Sequence, residues 1–399
     1  MTPESGLEAW QNDPALTVPD YRGNGIVNLM SSIVATLGGA SPYPHLTALP
    51  PASLAAARHL VLLVVDGLGH DYLLGREGAL RQHLRGSMTS VFPSTTASAI
   101  PTFLTGLAPQ QHGLTGWHMY FREIGAIVAP LPFRVRTGRH ALREAGVSPA
   151  GLFGLTPLYD QVAAPCYVVS PRNIVHSDFN AGLSGKAKRH GYETLGEMFD
   201  RIAGLLRSPG PRSYVHAYWP QHDALAHEYG VGSAEVADAF AALDAAFAQL
   251  ADVARETASV IIVTADHGFI DTSPDHAIDL DDHPGLRETL VLPLCGESRA
   301  AYAYVRAGRE GRFEDYVRER LGDRVHLIKS QDVRRHGWLG AGDSHPALCD
   351  RIGDYVLIPR GRHILRDWLK GEARHIHVGV HGGMSAEEMR VPLVVAPMA

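Results

Sequence analysis

Short apolar runs alternate with longer amphipathic segments from residue 59 onward. The run 59–65 is apolar at almost every position, which predicts a strand that is buried on both of its faces. Strands of this kind that are followed by helices predict an α/β fold with a mainly parallel sheet covered on both sides. The predicted strands are 59–65, 213–218, 259–265, 288–294, 300–306, 353–358 and 391–396, and the clearest predicted helices are 192–206, 233–256 and 312–321.

Two stretches depart from this alternation. Residues 1–57 are rich in proline and small residues and contain one predicted helix at 28–37, which indicates a lead-in segment packed on the main body. Between about 118 and 190 the sequence becomes aromatic, proline-bearing and basic, and we interpret it as a small cap insert over a site. We therefore predict a lead-in over 1–57 and a main domain over 58–399 that carries this cap.

The composition narrows the class of protein. A chain of 399 residues with 45% hydrophobic and 20% charged residues is ordinary for a soluble globular enzyme. A net charge of −6 argues against binding to a nucleic-acid polymer. No apolar run reaches the roughly 18 residues of a membrane span, and the first residues lack a basic region followed by an apolar one, so we expect a cytoplasmic protein. The isolated cysteines Cys166, Cys295 and Cys349 predict no disulfide framework.

Ligand-type side chains follow two of the apolar runs. Asp66 comes directly after 59–65, and Asp266 and His267 follow 259–264. The end of a buried strand is a frequent place for functional residues, although a single Asp-His step is more often a capped turn with a surface histidine.

A second set of such side chains lies on a predicted helix and a late loop. Asp223 and His227 are four residues apart after Pro220, so both side chains would project from one helical face. His381 follows in a glycine-flanked segment. Carboxylates and imidazoles together are ligands that zinc accepts, and the full set suits two neighbouring divalent ions.

The segment from Ser90 to Gly106 concentrates hydroxyl groups in a turn that opens a predicted helix. The start of a helix presents free N–H groups and is a natural seat for phosphate. A threonine at this position could act as a nucleophile if a divalent metal lowered the pKa of its hydroxyl. A simple Ser/Thr helix cap is the competing interpretation.

In their order along the chain, these motifs resemble the alkaline phosphatase superfamily, and within it the nucleotide pyrophosphatase/phosphodiesterase branch. The resemblance extends from about Leu60 to Pro397. It rests on Asp66-Gly67, Phe92-Pro-Ser-Thr-Thr96, Leu104-Thr-Gly-Leu107, His112-Gly113, Asp223-x-x-x-His227-x-x-Gly230, Asp266-His267-Gly268 and His381-Gly382.

The resemblance implies an alkaline-phosphatase-like sandwich, in which both metals lie at the carboxyl ends of the sheet strands. It also implies roles for individual residues. Thr96, at the family's second-threonine position, would be the nucleophile and would form a phosphothreonine intermediate. One zinc-type ion would be held by Asp223, His227 and His381, and the other by Asp66, Asp266, His267 and the Thr96 oxygen.

One position departs from the family pattern. Where the better-known phosphodiesterases have an asparagine that binds a phosphoryl oxygen, this chain has Trp117, followed by His118. We expect His118 or a backbone N–H to contact the phosphate, and Trp117 to stack on an aromatic leaving group or to pack in the cap.

The expected activity is two-metal hydrolysis of phosphodiester or pyrophosphate bonds in nucleotide-type substrates. The alternatives are a phosphomonoesterase or a phosphonoacetate-type hydrolase of the same superfamily. A metal-binding protein without turnover is the non-enzyme alternative, which the complete ligand set disfavours. The expected partner is a small phosphate ester, with no nucleic-acid polymer and no membrane, and the sequence predicts no oligomeric state.

Overall fold

The computed structural model describes residue 10 and residues 13–138 and 140–397. The strands in this part of the chain are β1 (His59–Val65), β2 (Leu84–Thr89), β3 (Met119–Phe121), β4 (Ala126–Ala129), β5 (Arg134–Val135), β6 (Cys166–Pro171), β7 (Lys188–Tyr192), β8 (Ser213–Trp219), β9 (Ser259–Thr264), β10 (Ile270–Asp271), β11 (Ala277–Asp279), β12 (Cys295–Glu297), β13 (Ala300–Ala303), β14 (Val325–Lys329), β15 (Tyr355–Pro359), β16 (Ile364–Arg366), β17 (Gly379–Val380) and β18 (Arg390–Ala396).

The α-helices of the same residues are α1 (Ile26–Thr36), α2 (Pro51–Leu54), α3 (His70–Leu74), α4 (Ala79–Gln82), α5 (Thr96–Thr105), α6 (Pro109–His112), α7 (Pro149–Phe153), α8 (Leu158–Gln161), α9 (Asp178–Leu183), α10 (Leu195–Arg207), α11 (Gln221–Tyr229), α12 (Ala234–Glu256), α13 (Pro284–Arg287), α14 (Glu310–Leu321), α15 (Ser330–Arg335), α16 (Leu348–Arg351) and α17 (Ala386–Met389). Within these residues, no helix has the length and apolar character that crossing a membrane requires.

A seven-stranded sheet forms the centre of the fold, in the order β2-β18-β9-β1-β8-β6-β7. The strands from β9 to β7 in this order run parallel, and β18 is antiparallel to both of its neighbours. β1 is buried along its whole length, as its continuous apolar run predicts. The predicted α/β class with a mainly parallel central sheet flanked by helices is confirmed.

The register of the central strands brings three chain segments to one edge. Val65 pairs with Trp219 of β8, and Val64 pairs with Thr264 of β9. The residues that follow β1, β8 and β9 therefore emerge at the same level, at the carboxyl ends of adjacent parallel strands. This is where open α/β sheets generally place their ligands.

Helix α12 illustrates how the sheet is covered. Its apolar residues Val236, Phe240, Leu243 and Phe247 recur every three to four positions and are all buried, so one stripe of the helix faces the core. The side chain of Ser233 caps the helix by accepting a hydrogen bond from the Val236 N–H.

A second, four-stranded sheet has the order β12-β13-β15-β14 and is antiparallel throughout. The strand predicted at 288–294 is wrong. Pro284 begins the short helix α13, and the segment then turns before β12 begins at Cys295. Pro293 also lacks the N–H group that a sheet ladder needs.

The range predicted as a cap, 118–190, contains two kinds of structure. Strands β3, β4 and β5 form a small separate sheet, whereas β6 and β7 join the edge of the main sheet. The sequence did not reveal β7 because this edge strand, Lys-Arg-His-Gly-Tyr, is polar and mostly not buried. In the lead-in, α1 contributes buried residues such as Ile26 and Leu29 to the main core.

Candidate active site

Three buried residues meet beyond the ends of β1 and β9. His267 Nε2 lies 3.3 Å from Asp66 Oδ1 and 3.5 Å from Asp266 Oδ2. The Gly67 N–H donates to Asp266 Oδ1 at 3.0 Å, which ties the two strand ends together. Asp66, Asp266 and His267 thus present their ligand atoms to one point and form a group that could hold a metal ion.

A second group lies beside the first. Asp223 and His227, one turn apart on α11, approach to 3.5 Å, and His381 follows β17 with its Nε2 3.2 Å from His227 Nε2. Asp223 Oδ1 is also 3.9 Å from His267 Nε2, so the two groups adjoin. Asp223, His227 and His381 form the second group that could hold a metal ion.

The histidine rings are oriented by backbone carbonyl groups. Because a carbonyl can only accept, the Nδ1 atom of each ring must carry the proton, and each Nε2 atom is left with a free lone pair. Second-layer hydrogen bonds of this kind are usual for metal-binding histidines. The bonds run from His267 to Gly268 O at 3.1 Å, from His227 to Gly379 O at 2.8 Å and from His381 to Ser94 O at 3.3 Å.

In the described part of the chain, no Lys or Arg side chain is paired with the acidic groups of the site. Burial raises the pKa of Asp66 to about 6 and that of Asp266 to about 7. Burial, followed by the charges of Asp66, Asp266 and Glu297, raises the pKa of Asp223 well above its ordinary value. Asp223 Oδ1 and Asp266 Oδ2 are buried without a hydrogen-bond partner within the described residues. Carboxylates and neutral imidazoles that converge in this way fit two divalent cations.

Thr96 is the first residue of α5, and its hydroxyl reaches the first group. Thr96 Oγ1 lies 3.1 Å from His267 Nε2 and 3.4 Å from Asp66 Oδ1. The hydroxyl of its neighbour Thr95 instead donates to Glu297 Oε1 at 2.7 Å. Of the two threonines, Thr96 is therefore the one whose oxygen adjoins a candidate metal position.

Two further residues of the site escaped the sequence analysis. The Tyr218 hydroxyl donates to Asp66 Oδ2 and fixes that carboxylate from β8. Glu297, the last residue of β12, accepts hydrogen bonds from Thr95 and from the Trp117 N–H, each at 2.7 Å, and burial raises its pKa to about 7. The sequence could have identified Tyr218, since this residue lies on a predicted strand just before the Asp223 motif. Glu297 had none.

Trp117 and His118 occupy different surroundings. The backbone of Trp117 reaches Glu297, and 39% of the Trp117 residue is exposed. His118 forms a β-bridge with Gly296, and burial, followed by the charge of Arg136, lowers its pKa to about 3. Within the described residues, His118 makes no hydrogen bond to either metal group. Substrate contacts by both residues stay predictions.

The acidic stretch between Asp271 and His283 does not form a third group of this kind in the described part of the chain. Asp281 is instead paired with Arg287 and Arg374, each at 2.8 Å. Asp271 accepts a hydrogen bond from the Val231 N–H at 2.8 Å. Asp271 and Asp281 therefore have structural partners within the protein.

Several solved structures share the fold of this chain. The murine ectonucleotide pyrophosphatase/phosphodiesterase 5 matches with a TM-score of 0.64 and 16% identity over 84% of this chain and 87% of its own. The phosphonoacetate hydrolase from Sinorhizobium meliloti 1021, solved in complex with phosphonoformate, matches with a TM-score of 0.60 and 22% identity over 85% of this chain and 90% of its own. This likeness shows that the chain has an alkaline-phosphatase-like fold.

The sequence specifies the family. A model of the type I phosphodiesterase/nucleotide pyrophosphatase family matches residues 60–384, and the chain belongs to that family. A search of curated proteins gives no match. The expected superfamily and the class of enzyme, a phosphodiesterase or nucleotide pyrophosphatase, are thereby confirmed.

Proposed function

We propose that this hydrolase uses Thr96 as its nucleophile, holds two zinc ions and cleaves phosphodiesters in preference to phosphate monoesters. The observation that carries the proposal is the position of Thr96 Oγ1, at the first turn of α5 and within 3.4 Å of both His267 Nε2 and Asp66 Oδ1. A threonine hydroxyl is a weak nucleophile unless its environment activates it.

The six candidate ligands would form two separate metal sites. Asp66, Asp266 and His267 would hold one ion beside Thr96, and Asp223, His227 and His381 would hold the other. Divalent ions bound there would lower the pKa of the attacking hydroxyl and compensate the charge that develops on the leaving oxygen.

Thr96 Oγ would attack phosphorus, the bond to the leaving oxygen would break, and water would hydrolyse the resulting phosphothreonine. Thr96 is the first residue of α5, and free N–H groups at the start of this helix would orient phosphoryl oxygens. A murine relative supports the role of threonine, because its structure in complex with AMP is that of an inactive threonine-to-alanine variant.

The charges of the site favour a diester as the substrate. Within the described residues, no Lys or Arg side chain is hydrogen bonded to Asp66, Asp223, Asp266 or Glu297. A diester carries one negative charge and needs less compensation than a monoester dianion. The carboxylate of a phosphonoacetate-type substrate would likewise want a cation. We therefore rank the alternatives of the same superfamily below the phosphodiesterase.

A comparison of substrates tests this ranking. Purified metal-loaded protein should cleave a p-nitrophenyl nucleotide diester with higher kcat/KM than p-nitrophenyl phosphate, which has the same leaving group. Phosphonoacetate should give less product than the diester under the same conditions. A clear preference for the monoester or for phosphonoacetate would reverse the assignment.

A further inference from the structure

Glu297 reaches the site from the second sheet and lies against the segment that carries the nucleophile. Its Oε1 atom accepts hydrogen bonds from the Thr95 hydroxyl and the Trp117 N–H, each at 2.7 Å. On its other side it packs over Gly382, where an added Cβ would come within 2.8 Å of Glu297 Cβ. Glu297 is therefore held between the neighbour of Thr96 and the neighbour of His381.

Glu297 occupies two hydrogen-bond donors of a kind that can also bind a phosphoryl oxygen. One belongs to the residue next to Thr96, and the other belongs to Trp117. A carboxylate oxygen and a phosphoryl oxygen accept the same kind of hydrogen bond, so Glu297 takes donors that a phosphate bound at Thr96 could otherwise use.

Glu297 also changes the charge of the site. Together with Asp66, Asp223 and Asp266 it is a fourth carboxylate, and the four negative charges equal the positive charge of two divalent ions. Arg299, two residues further on, adds no free charge, because its guanidinium is buried and bound to Glu388 at 2.8 Å. Within the described residues, no Lys or Arg side chain is hydrogen bonded to Glu297, so a second negative charge on the substrate would find no compensating side chain there.

We propose that Glu297 is a specificity-determining residue that repels the additional anionic oxygen of phosphate monoesters and thereby selects diesters. In a monoester all the non-bridging oxygens share the dianionic charge, and one of them would face the Glu297 carboxylate. In a diester that position can be taken by an esterified, uncharged oxygen. This inference rests on the proposed function and assigns its charge selectivity to one side chain.

The test removes the negative charge of the Glu297 side chain and keeps the shape of that side chain. In Glu297→Gln, the side-chain carbonyl can still accept from Thr95 and Trp117, so the fold should be preserved. Glu256→Gln is the matched control. Glu256 is exposed and is the last residue of α12. It precedes the first residue of β9, whereas the site lies beyond the last residues of β1 and β9.

The measurements are made on the metal-loaded proteins at pH 8, above the pKa of about 7 of Glu297. Glu297→Gln should lower the diester-to-monoester ratio of kcat/KM at least about tenfold through a gain on p-nitrophenyl phosphate. It should also tighten the binding of inorganic phosphate, measured by calorimetry, by a similar factor. Glu256→Gln should change neither quantity.

Two results would overturn the proposal. An equal loss on both substrates, with phosphate binding unchanged, would show that Glu297 only holds Thr95 in place. A larger loss on the monoester would show that Glu297 serves monoesters, for example through a further cation. If the wild-type protein cleaved neither substrate, the proposed function would fail, yet the phosphate affinities of the two variants would still decide the role of Glu297.

Discussion

Replacement of Thr96 by alanine isolates the chemical step from the architecture of the site. The substitution removes one hydroxyl that lies 3.1 Å from His267 Nε2 and 3.4 Å from Asp66 Oδ1. It leaves both metal groups and the start of α5 unchanged. Thr95, not Thr96, is the N-cap residue of that helix, and its side chain makes no cap hydrogen bond, so the substitution removes no helix cap.

The expected effect on stability is small. Losing a buried hydroxyl that makes hydrogen bonds costs about 0.5–1.5 kcal/mol, while alanine has a higher helix propensity than threonine by up to about 0.7 kcal/mol. These contributions nearly cancel, so the free energy of unfolding should change by about 1 kcal/mol or less. A change of that size shifts the Tm of a large domain by about 2–4 °C at most.

The expected effect on turnover is large. The Thr96 hydroxyl is proposed to act together with the metal groups, so its removal would leave only the rate acceleration that substrate binding and electrostatic stabilisation provide. We expect kcat to fall by about 10⁴-fold or more, which corresponds to about 5 kcal/mol of lost transition-state stabilisation. Thr95→Ala should keep kcat within about tenfold of the wild type, because its hydroxyl contacts Glu297 and neither metal group.

The assay combines kinetics with direct detection of the intermediate. Turnover of a p-nitrophenyl nucleotide diester is compared among the wild type, Thr96→Ala and Thr95→Ala, with metal content and Tm measured on each. Acid quenching during turnover should trap phosphate on Thr96 in the wild-type protein. If Thr95→Ala were inactive and Thr96→Ala retained substantial turnover, the nucleophile would be Thr95 and the reasoning from the hydroxyl positions would be refuted.

Three further predictions concern the metals and their support. Metal analysis should find two divalent ions per chain, and a crystal structure should place them roughly 4 Å apart. Chelation should abolish activity and lower Tm. A metal content well under one ion per chain, together with activity that a chelator does not change, would contradict this prediction. Tyr218→Phe should weaken metal affinity, measured by calorimetry, because Asp66 loses its hydroxyl donor; unchanged affinity would remove Tyr218 from the site. Glu388→Gln should cost about 3–5 kcal/mol in denaturant unfolding, since it leaves the Arg299 charge buried and unpaired. Burial opposes ionisation of Glu388, but Arg299 lowers its pKa overall, so this contribution should be present above the ordinary pKa of 4.5 and be lost as the pH falls below it; equal acid sensitivity of wild type and variant would contradict it.

Residue type and local spacing were sufficient to predict the central strands and many candidate site residues. The short apolar runs at β1 and β9 predict strands, because a strand buried on both faces keeps almost every position apolar. Asp66 and Asp266 could be found because they stand at the ends of such runs, and Asp223 and His227 because four residues make one helical turn. The order of these motifs indicated the family, which the family model confirms.

Local signals failed where an element is short, polar or at an edge. The edge strand β7 has no apolar run, and in 288–294 Leu290 and Leu294 pack in the second core without forming a strand. In both cases the burial of these residues depends on which distant segment packs against them. A single sequence does not specify that segment.

The tertiary structure decided how the separate pieces meet. The parallel register of β1 with β8 and β9 brings the two metal groups side by side, and it follows from the packing of the whole sheet. The contact between Thr95 and Glu297 joins residues 202 positions apart and depends on how the second sheet packs against the first. The sequence by itself predicted which side chains could bind metal and attack phosphorus, because that prediction depends on residue type and local spacing. The contact of Glu297 with Thr95 and Trp117 was decided only by the fold, because long-range contacts arise from the joint packing of elements whose local sequences do not specify one another.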